Sequence, residues 1–361
     1  MSDLVLVANA GDSTISTYVL DTERGQLTPL AVSPVGRGCS TFAIDEVADR
    51  VYAAAKASDK VASSSATSPT NHPGIDTFTL DHGTGTLTPA PDRTRTATEG
   101  SPSYLALSPD RRVLTAALYH EGTAATWPVG SDGLLGERAS HVEWAHAHCV
   151  VATDEHLYVV SLGSDCIAQY SLATDGELTP LDPPTAPAPE GSGPRHLVLD
   201  ADGTHAYAVT EFSGEVLSYR RDPGTGALTS DGAATAYATD RDLGHSRLGA
   251  DPRAEHLIWG ADLHLARDGR WILASERTES TVAALRLDRN GIPGAATHFV
   301  STPRQPRGFA VSTDGRYAVV AGEESTHLAV VEVSPEGDLH TVDAVETGAG
   351  ANWVRCLRRH D

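Results

Sequence analysis

The chain has 361 residues, 48 acidic side chains against 27 basic ones, a net charge of −21 and an apolar share of 40%, figures that exclude a disordered tail, a collagen-like fibre and a disulfide scaffold. The acidic balance also argues against binding DNA or RNA through the phosphate backbone, which needs a surplus of Lys and Arg. Lysine occurs only at Lys56 and Lys60, so an anion held by this protein is expected to sit on planar guanidinium forks. Four scattered cysteines, Cys39, Cys149, Cys166 and Cys356, form no Cys-x-x-Cys pair and read as reduced thiols of a cytoplasmic protein. The N-terminus, Met1-Ser2-Asp3 before the short run Leu4 to Ala8, lacks a basic n-region and a long apolar h-region, and nothing later approaches 18 uncharged apolar residues, so neither an export signal nor a membrane span is expected.

In chain order the sequence repeats one phrase. It opens with a β-rich run, Leu4-Val-Leu-Val-Ala8, then a second strand, Thr14-Ile-Ser-Thr-Tyr18, then a Gly turn and a third strand, Gly25-Gln-Leu-Thr-Pro29. The β-rich run returns at Val51-Tyr-Ala-Ala-Ala55, Val113-Leu-Thr-Ala-Ala117, Leu157-Tyr-Val-Val-Ser161, Ala206-Tyr-Ala-Val-Thr210, Trp271-Ile-Leu-Ala-Ser275 and Tyr317-Ala-Val-Val-Ala321. The Gly-led third strand returns at Gly85-Thr-Leu-Thr-Pro89, Gly133-Leu-Leu, Gly176-Glu-Leu-Thr-Pro180, Gly226-Ala-Leu-Thr229, Gly291-Ile-Pro and Gly337-Asp-Leu. Another apolar strand, closed by an Asp-Gly-like turn, precedes most of the β-rich runs, so each unit reads as a four-stranded antiparallel meander of roughly 52 residues. The chain starts on what is elsewhere a second strand and ends on what is elsewhere a first one, Trp353-Val-Arg-Cys-Leu357. Pairing these two strands closes a ring and leaves no sheet edge open. The expected fold is all-β, a seven-bladed propeller forming a single domain over residues 1–361, with a Ser/Thr-rich loop inserted at 57–74.

In such a ring the first strand of each blade lines the central channel, and its leading residues stand at the mouth where ligands bind. Aligning the units puts Ser40, Ser103, Ala147, Arg195, Ala261, Arg307 and Asn352 in one column, and Ala10, Tyr119, Leu162, Glu211, Arg277 and Glu323 in another just past the following strand. Structural positions repeat as Val, Leu, Ala and Gly. These positions vary and become charged or imidazole, as a site placed on a symmetric scaffold should. In Trp144-Ala-His146-Ala-His148 the two histidines share a face if the strand has already begun. Two histidines without a nearby Cys or carboxylate at ligand spacing point to acid-base work, not to zinc, since an imidazole exchanges protons near neutrality with little tuning. Arg195 and Arg307 repeat one Pro-Arg phrase in two blades, while Glu211 and Arg277 face each other one blade apart.

Together Gly193-Pro-Arg-His-Leu197, Ala206-Tyr-Ala-Val-Thr-Glu211, Gly260-Ala-Asp-Leu-His264, Asp268-Gly-Arg270 with Arg277, and Gln305-Pro-Arg-Gly-Phe309 resemble the propeller-type 6-phosphogluconolactonases, a family that includes the fungal carboxymuconate lactonizing enzymes. The resemblance runs over nearly the whole chain. It implies a cytoplasmic enzyme, needing no metal and no cofactor, that opens a sugar-acid lactone carrying a carboxylate or phosphate, with neither nucleic acid nor membrane as partner, as a monomer or homodimer. Carried onto matching motifs, its catalytic set is His146, Arg195, Glu211 and Arg277, with Arg307, His148, His196, Tyr119 and Glu323 contacting substrate. His146 or Glu211 would move protons, and the arginines would hold the oxyanion or the substrate's own anion. Two other readings are open: a muconate-type cycloisomerase on the same quartet, and a non-catalytic propeller that binds a protein or peptide.

Overall fold

The computed structural model describes residues 2–57, 72–90 and 95–359. Most of the 57–74 loop lies outside the described residues. Those residues form seven antiparallel sheets arranged as blades. Six sheets have four strands, and in the remaining one Leu87–Pro89 and Arg95–Ala97 both pair with Gly74–Leu80. The β-rich runs of the sequence are second strands, covered on both faces by neighbouring blades, and so read as unbroken apolar runs. Val51 to Ala55 and Val113 to Leu118 are buried throughout. Outermost strands meet water and alternate, as in Leu339–Glu346.

Adjacent blades are tied by a recurring tyrosine. Tyr52 donates to the Gly133 carbonyl (2.9 Å), Tyr158 to that of Gly226 (2.6 Å) and Tyr207 to that of Gly291 (2.9 Å), each in the next blade. The acceptors are turn glycines at φ 75° to 77°, a left-handed conformation that glycine adopts without strain. Each hydroxyl buried among apolar side chains therefore has a partner.

The ring closes as the terminal runs imply. Ala351–Arg358 pairs antiparallel with Ser2–Asn9, Leu4 opposite Leu357 and Ala8 opposite Trp353. Two expected third strands are displaced. At Gly133-Leu-Leu and Gly291-Ile-Pro there are single bridges, Val129 to Leu135 and Leu287 to Pro293, and the outer strands form later, at Ser140–Glu143 and His298–Ser301. In both blades the hairpin is shut by a glycine, Gly136 N–H on the Pro128 carbonyl and Gly294 N–H on that of Arg286. The ladder stops there, and at Pro293 it also lacks an N–H to continue with. No helix among the described residues is long and apolar enough to cross a membrane.

Trp353 ties the closing strand to the blades that follow. Its indole N–H donates to the Phe42 carbonyl of the following blade at 3.1 Å, and its ring meets Tyr104 edge-on at 4.9 Å. Trp353→Ala should lower the unfolding free energy by about 3–5 kcal/mol, read as a shifted urea midpoint.

Candidate active site

Four of the seven inner strands carry a β-bulge at their start. The register slips between Ala147 and Cys149, between Pro194 and His196, between Gly260 and Leu263, and between Asn9's partner Ala351 and Ala8's partner Trp353. The residues left over are His148, Arg195, the pair Ala261 and Asp262, and Asn352. A bulge frees its extra residue from the pleat and re-aims the side chain. Three of the four bulges thereby deliver His148, Arg195 and Asn352 to one cavity of about 370 Å³ at the hub.

That cavity is also lined by Ser40, Ser103, Tyr119, Glu211, Arg277, Arg307 and Glu323, and by Lys56, Ser101, His120 and Trp259. Every polar member of the two aligned columns is therefore at the wall. Ala147, Ala261 and Leu162, which are fully buried, are not.

At its centre is a carboxylate between two guanidinium groups. Glu211 Oε2 accepts from Arg195 Nε at 2.8 Å and lies 3.0 Å from Arg277 Nη2, while Oε1 accepts from the Trp259 indole at 3.3 Å. The Arg277 guanidinium stacks 3.9 Å over the Trp259 ring and donates to the Gly260 carbonyl at 3.0 Å, a cation–π arrangement that suits the weakly hydrated Arg. Burial alone would raise the Glu211 pKa, but Arg277 and then Arg195 outweigh it and hold the carboxyl below its usual range. Burial, with Arg277 beside it, pushes the Arg195 pKa down, yet a guanidinium in a protein stays charged. Arg307 is the most open of the three arginines, 32% exposed and 3.7 Å from Glu323, which Gln305 steadies at 2.7 Å. Four cationic side chains thus face two carboxylates, a positive wall in a strongly acidic chain that attracts anionic ligands.

The two histidines separate. His148 lines the cavity, its ring 5.5 Å from Tyr119 and 5.1 Å from His196, and its buried Nδ1 has no hydrogen-bond partner among the described residues. Burial, reinforced by Arg195, drives its pKa well below 6.5, so it is neutral at physiological pH. Desolvation, reinforced by Glu211, raises the Tyr119 pKa and keeps its hydroxyl protonated. His146 is not on the cavity lining. It sits before the strand at φ 51°, in a turn closed by Ala147 N–H on the Trp144 carbonyl, with its ring 4.9 Å from Tyr119. The expectation that His146 and His148 share a face fails because the strand begins at Ala147 and bulges at once. By register Ala147 corresponds to Pro194 and His148 to Arg195, so the aligned column was one residue out in this blade.

His196 is likewise off the lining. It lies 2% exposed under the floor, between Arg195 and Asp262. The sequence pattern assigns no role to Asp262, Trp259, Ser101, His120 or Lys56. Trp259 and Lys56 lie outside the repeated phrase, and Asp262 is embedded in an apolar strand. Among the described residues no group of three or more His, Cys, Asp or Glu side chains gathers at metal-ligand spacing.

A family model described as "Lactonase, 7-bladed beta-propeller" matches residues 4–356. A protein named 6-phosphogluconolactonase from Sodalis glossinidius (strain morsitans) is 30% identical over 264 residues, covering 72% of this chain and 76% of that one. One of the same name from Klebsiella pneumoniae (strain 342) is 30% identical over 262 residues, covering 72% and 75%. Among solved structures, the periplasmic gluconolactonase of Pseudomonas aeruginosa is similar with a TM-score of 0.82 at 25% identity, covering 100% of both chains. A protein from Lactobacillus plantarum is similar in fold, with a TM-score of 0.84 at 23% identity over 99% of this chain and 100% of that one.

Glu211→Gln would leave two buried guanidinium groups without their counter-charge and should cost about 3–5 kcal/mol of unfolding free energy near neutrality. Because the folded pKa of Glu211 is depressed, the stability it contributes is complete above the unfolded glutamate pKa. It is lost as pH falls through the folded value. Urea titrations across that acid range should therefore show the gap between wild type and Glu211→Gln closing toward low pH.

Proposed function

Since the chain belongs to the lactonase family of seven-bladed β-propellers, we propose that it hydrolyses a sugar-acid lactone bearing a carboxylate or phosphate, releasing the open hydroxy acid. The observation that carries this reading is the shared cavity, in which the His148 imidazole and three guanidinium groups line one space of about 370 Å³, room for a single small cyclic ester. Similarity to proteins named 6-phosphogluconolactonase supports a phosphorylated aldonolactone as the first substrate to try.

Water adds to the lactone carbonyl carbon and gives its proton to His148, the base in this reading in place of His146. The carbonyl oxygen becomes an oxyanion facing Arg195 and Arg277, which are preorganised by Glu211 and therefore need no rearrangement as charge develops. The ring C–O bond breaks, and His148 returns its proton to the departing alkoxide, as one imidazole does twice in other acyl transfers. Ionisation of the new carboxylic acid then releases one proton to solvent. Glu211 is an unsuitable base, since its oxygens are occupied by Arg195, Arg277 and Trp259 and its charge is stabilised. Arg307 and Lys56 remain to meet the substrate's own anion.

Proton release measured on δ-lactones of gluconate, 6-phosphogluconate, galactarate and glucarate tests this, at slightly acid pH where spontaneous opening is slow. At least one should be accelerated, and His148→Ala should lower kcat/KM for it by roughly 10²- to 10⁴-fold. No acceleration of any lactone would remove the reading. A base must be unprotonated to act, and the His148 pKa is depressed, so the acid limb of kcat/KM should fall below pH 6.5, the ordinary histidine value.

A further inference from the structure

Beneath the cavity, His196 and Asp262 extend from Arg195 a line of hydrogen bonds to which the proposed chemistry gives no part. We infer that Asp262 is a positioning residue of this site, fixing through the His196 ring the direction in which the Arg195 guanidinium points. The kinetic part of this inference rests on the lactonase reading; the structural part does not.

The argument starts from donor and acceptor capacity. Arg195 can only donate, so His196 Nε2, 3.2 Å from Arg195 Nη1, must present a lone pair. The ring proton is therefore on Nδ1, where it is donated to Asp262 Oδ1 at 2.7 Å. Arg195 would otherwise be free to turn about the bond it makes to Glu211. His196, together with the Ala261 carbonyl that also accepts from Nη1, holds the guanidinium from the opposite end. The side chains of Arg195, His196 and Asp262 are 1%, 2% and 7% exposed, so water cannot substitute for a lost partner. Asp262 and His196 are absent from the cavity wall, and any effect they have on a bound ligand passes through Arg195 or through the ring of His148, 5.1 Å from that of His196.

Only a carboxylate fits position 262. Every neighbour of its oxygens is a donor or can act as one: the Leu263 amide reaches Oδ1 at 3.0 Å, the Phe309 amide reaches Oδ2 at 3.2 Å, and His264 Nε2 is 3.4 Å from Oδ2. An amide here would have to aim its NH₂ at one of these. Aimed at His196, it would force the ring proton onto Nε2, against the Arg195 N–H. Burial and Arg195 push the His196 pKa down to about 4, in keeping with a neutral ring whose proton position the two flanking charges decide.

The test uses the full chain in three variants, Asp262→Asn, His196→Gln and His196→Leu. The first readout is ¹⁵N-histidine NMR. Wild type should show one ring protonated at Nδ1 and bare at Nε2, unchanged on acidification to about pH 5, and His196→Gln should identify that ring by its loss. In Asp262→Asn the ring loses its charged acceptor, so the Nδ1 proton resonance should move upfield of its wild-type position. The second readout is steady-state kinetics on whichever lactone wild type opens. Asp262→Asn should lower kcat roughly ten- to a hundredfold with little change in KM, because a misdirected guanidinium fails the oxyanion more than the bound substrate. Gln presents one donor and one acceptor as the ring does, so His196→Gln should keep roughly tenfold more kcat than His196→Leu. If Asp262→Asn does not fold, the comparison of Gln with Leu decides. A wild-type spectrum without the Nδ1–H ring, or folded variants with wild-type kcat, overturns the inference. Wild type inactive on every lactone removes the lactonase reading alone, and the position of the ring proton then decides this one.

Discussion

One half-buried carboxylate shared by two buried guanidinium groups sets the terms for the hub. Arg195 and Glu211 belong to one blade and Arg277 to the next, so the contact through Glu211 Oε2 is both a joint between blades and the floor of the cavity. Two cations this deep would destabilise the fold alone, and one carboxylate between them makes the arrangement tenable. The balance stays positive, and Arg307 and Lys56 add to it. In a strongly acidic protein the hub thereby gathers four cationic side chains against two carboxylates, in a polar wall that is already oriented.

Backbone irregularity positions these side chains on an otherwise regular scaffold. Strand pairing fixes which residues face neighbouring blades, and an unbroken ladder would hand every first-strand side chain to the apolar packing between sheets. Bulges at the start of four inner strands break that rule where the cavity needs it. They turn His148, Arg195 and Asn352 toward the axis. At the fourth the bulge contains Asp262, which stays below and joins three blades through its contacts with His196, Leu263 and Phe309.

The blade count and ring closure were legible because they rest on repetition: seven β-rich runs, seven Gly-led turns, and terminal strands out of phase. The polar columns were legible for the converse reason, since residues that break a repeat stand out against it. Arg195, Glu211, Arg277, Arg307, Glu323 and Tyr119 all line the cavity as expected from their columns. The resemblance points to His146, while the wall of the cavity carries His148; a bulge leaves no trace in residue types, and one extra residue moves a side chain from turn to wall. His196 was read as a substrate contact although its two ring nitrogens are already engaged by Arg195 and Asp262. Trp259 was invisible because it follows a long irregular connection without a counterpart in the other blades. In the blades ending at Ser140–Glu143 and His298–Ser301 the Gly-led phrase marks a tight turn, and the outer strand comes later, a difference set by hydrogen bonds that close the hairpin early.

A crystal structure with an open-chain hydroxy acid bound tests the central claim most directly, because it asks whether the hub recognises the product of ring opening. The account predicts the carboxylate at the hub, within hydrogen-bond distance of Arg195 and Arg277, with the His148 ring beside the hydroxyl that was the leaving group. A hydroxy acid bound away from the hub, or one held at His146 with Arg195 and Arg277 untouched, would contradict it.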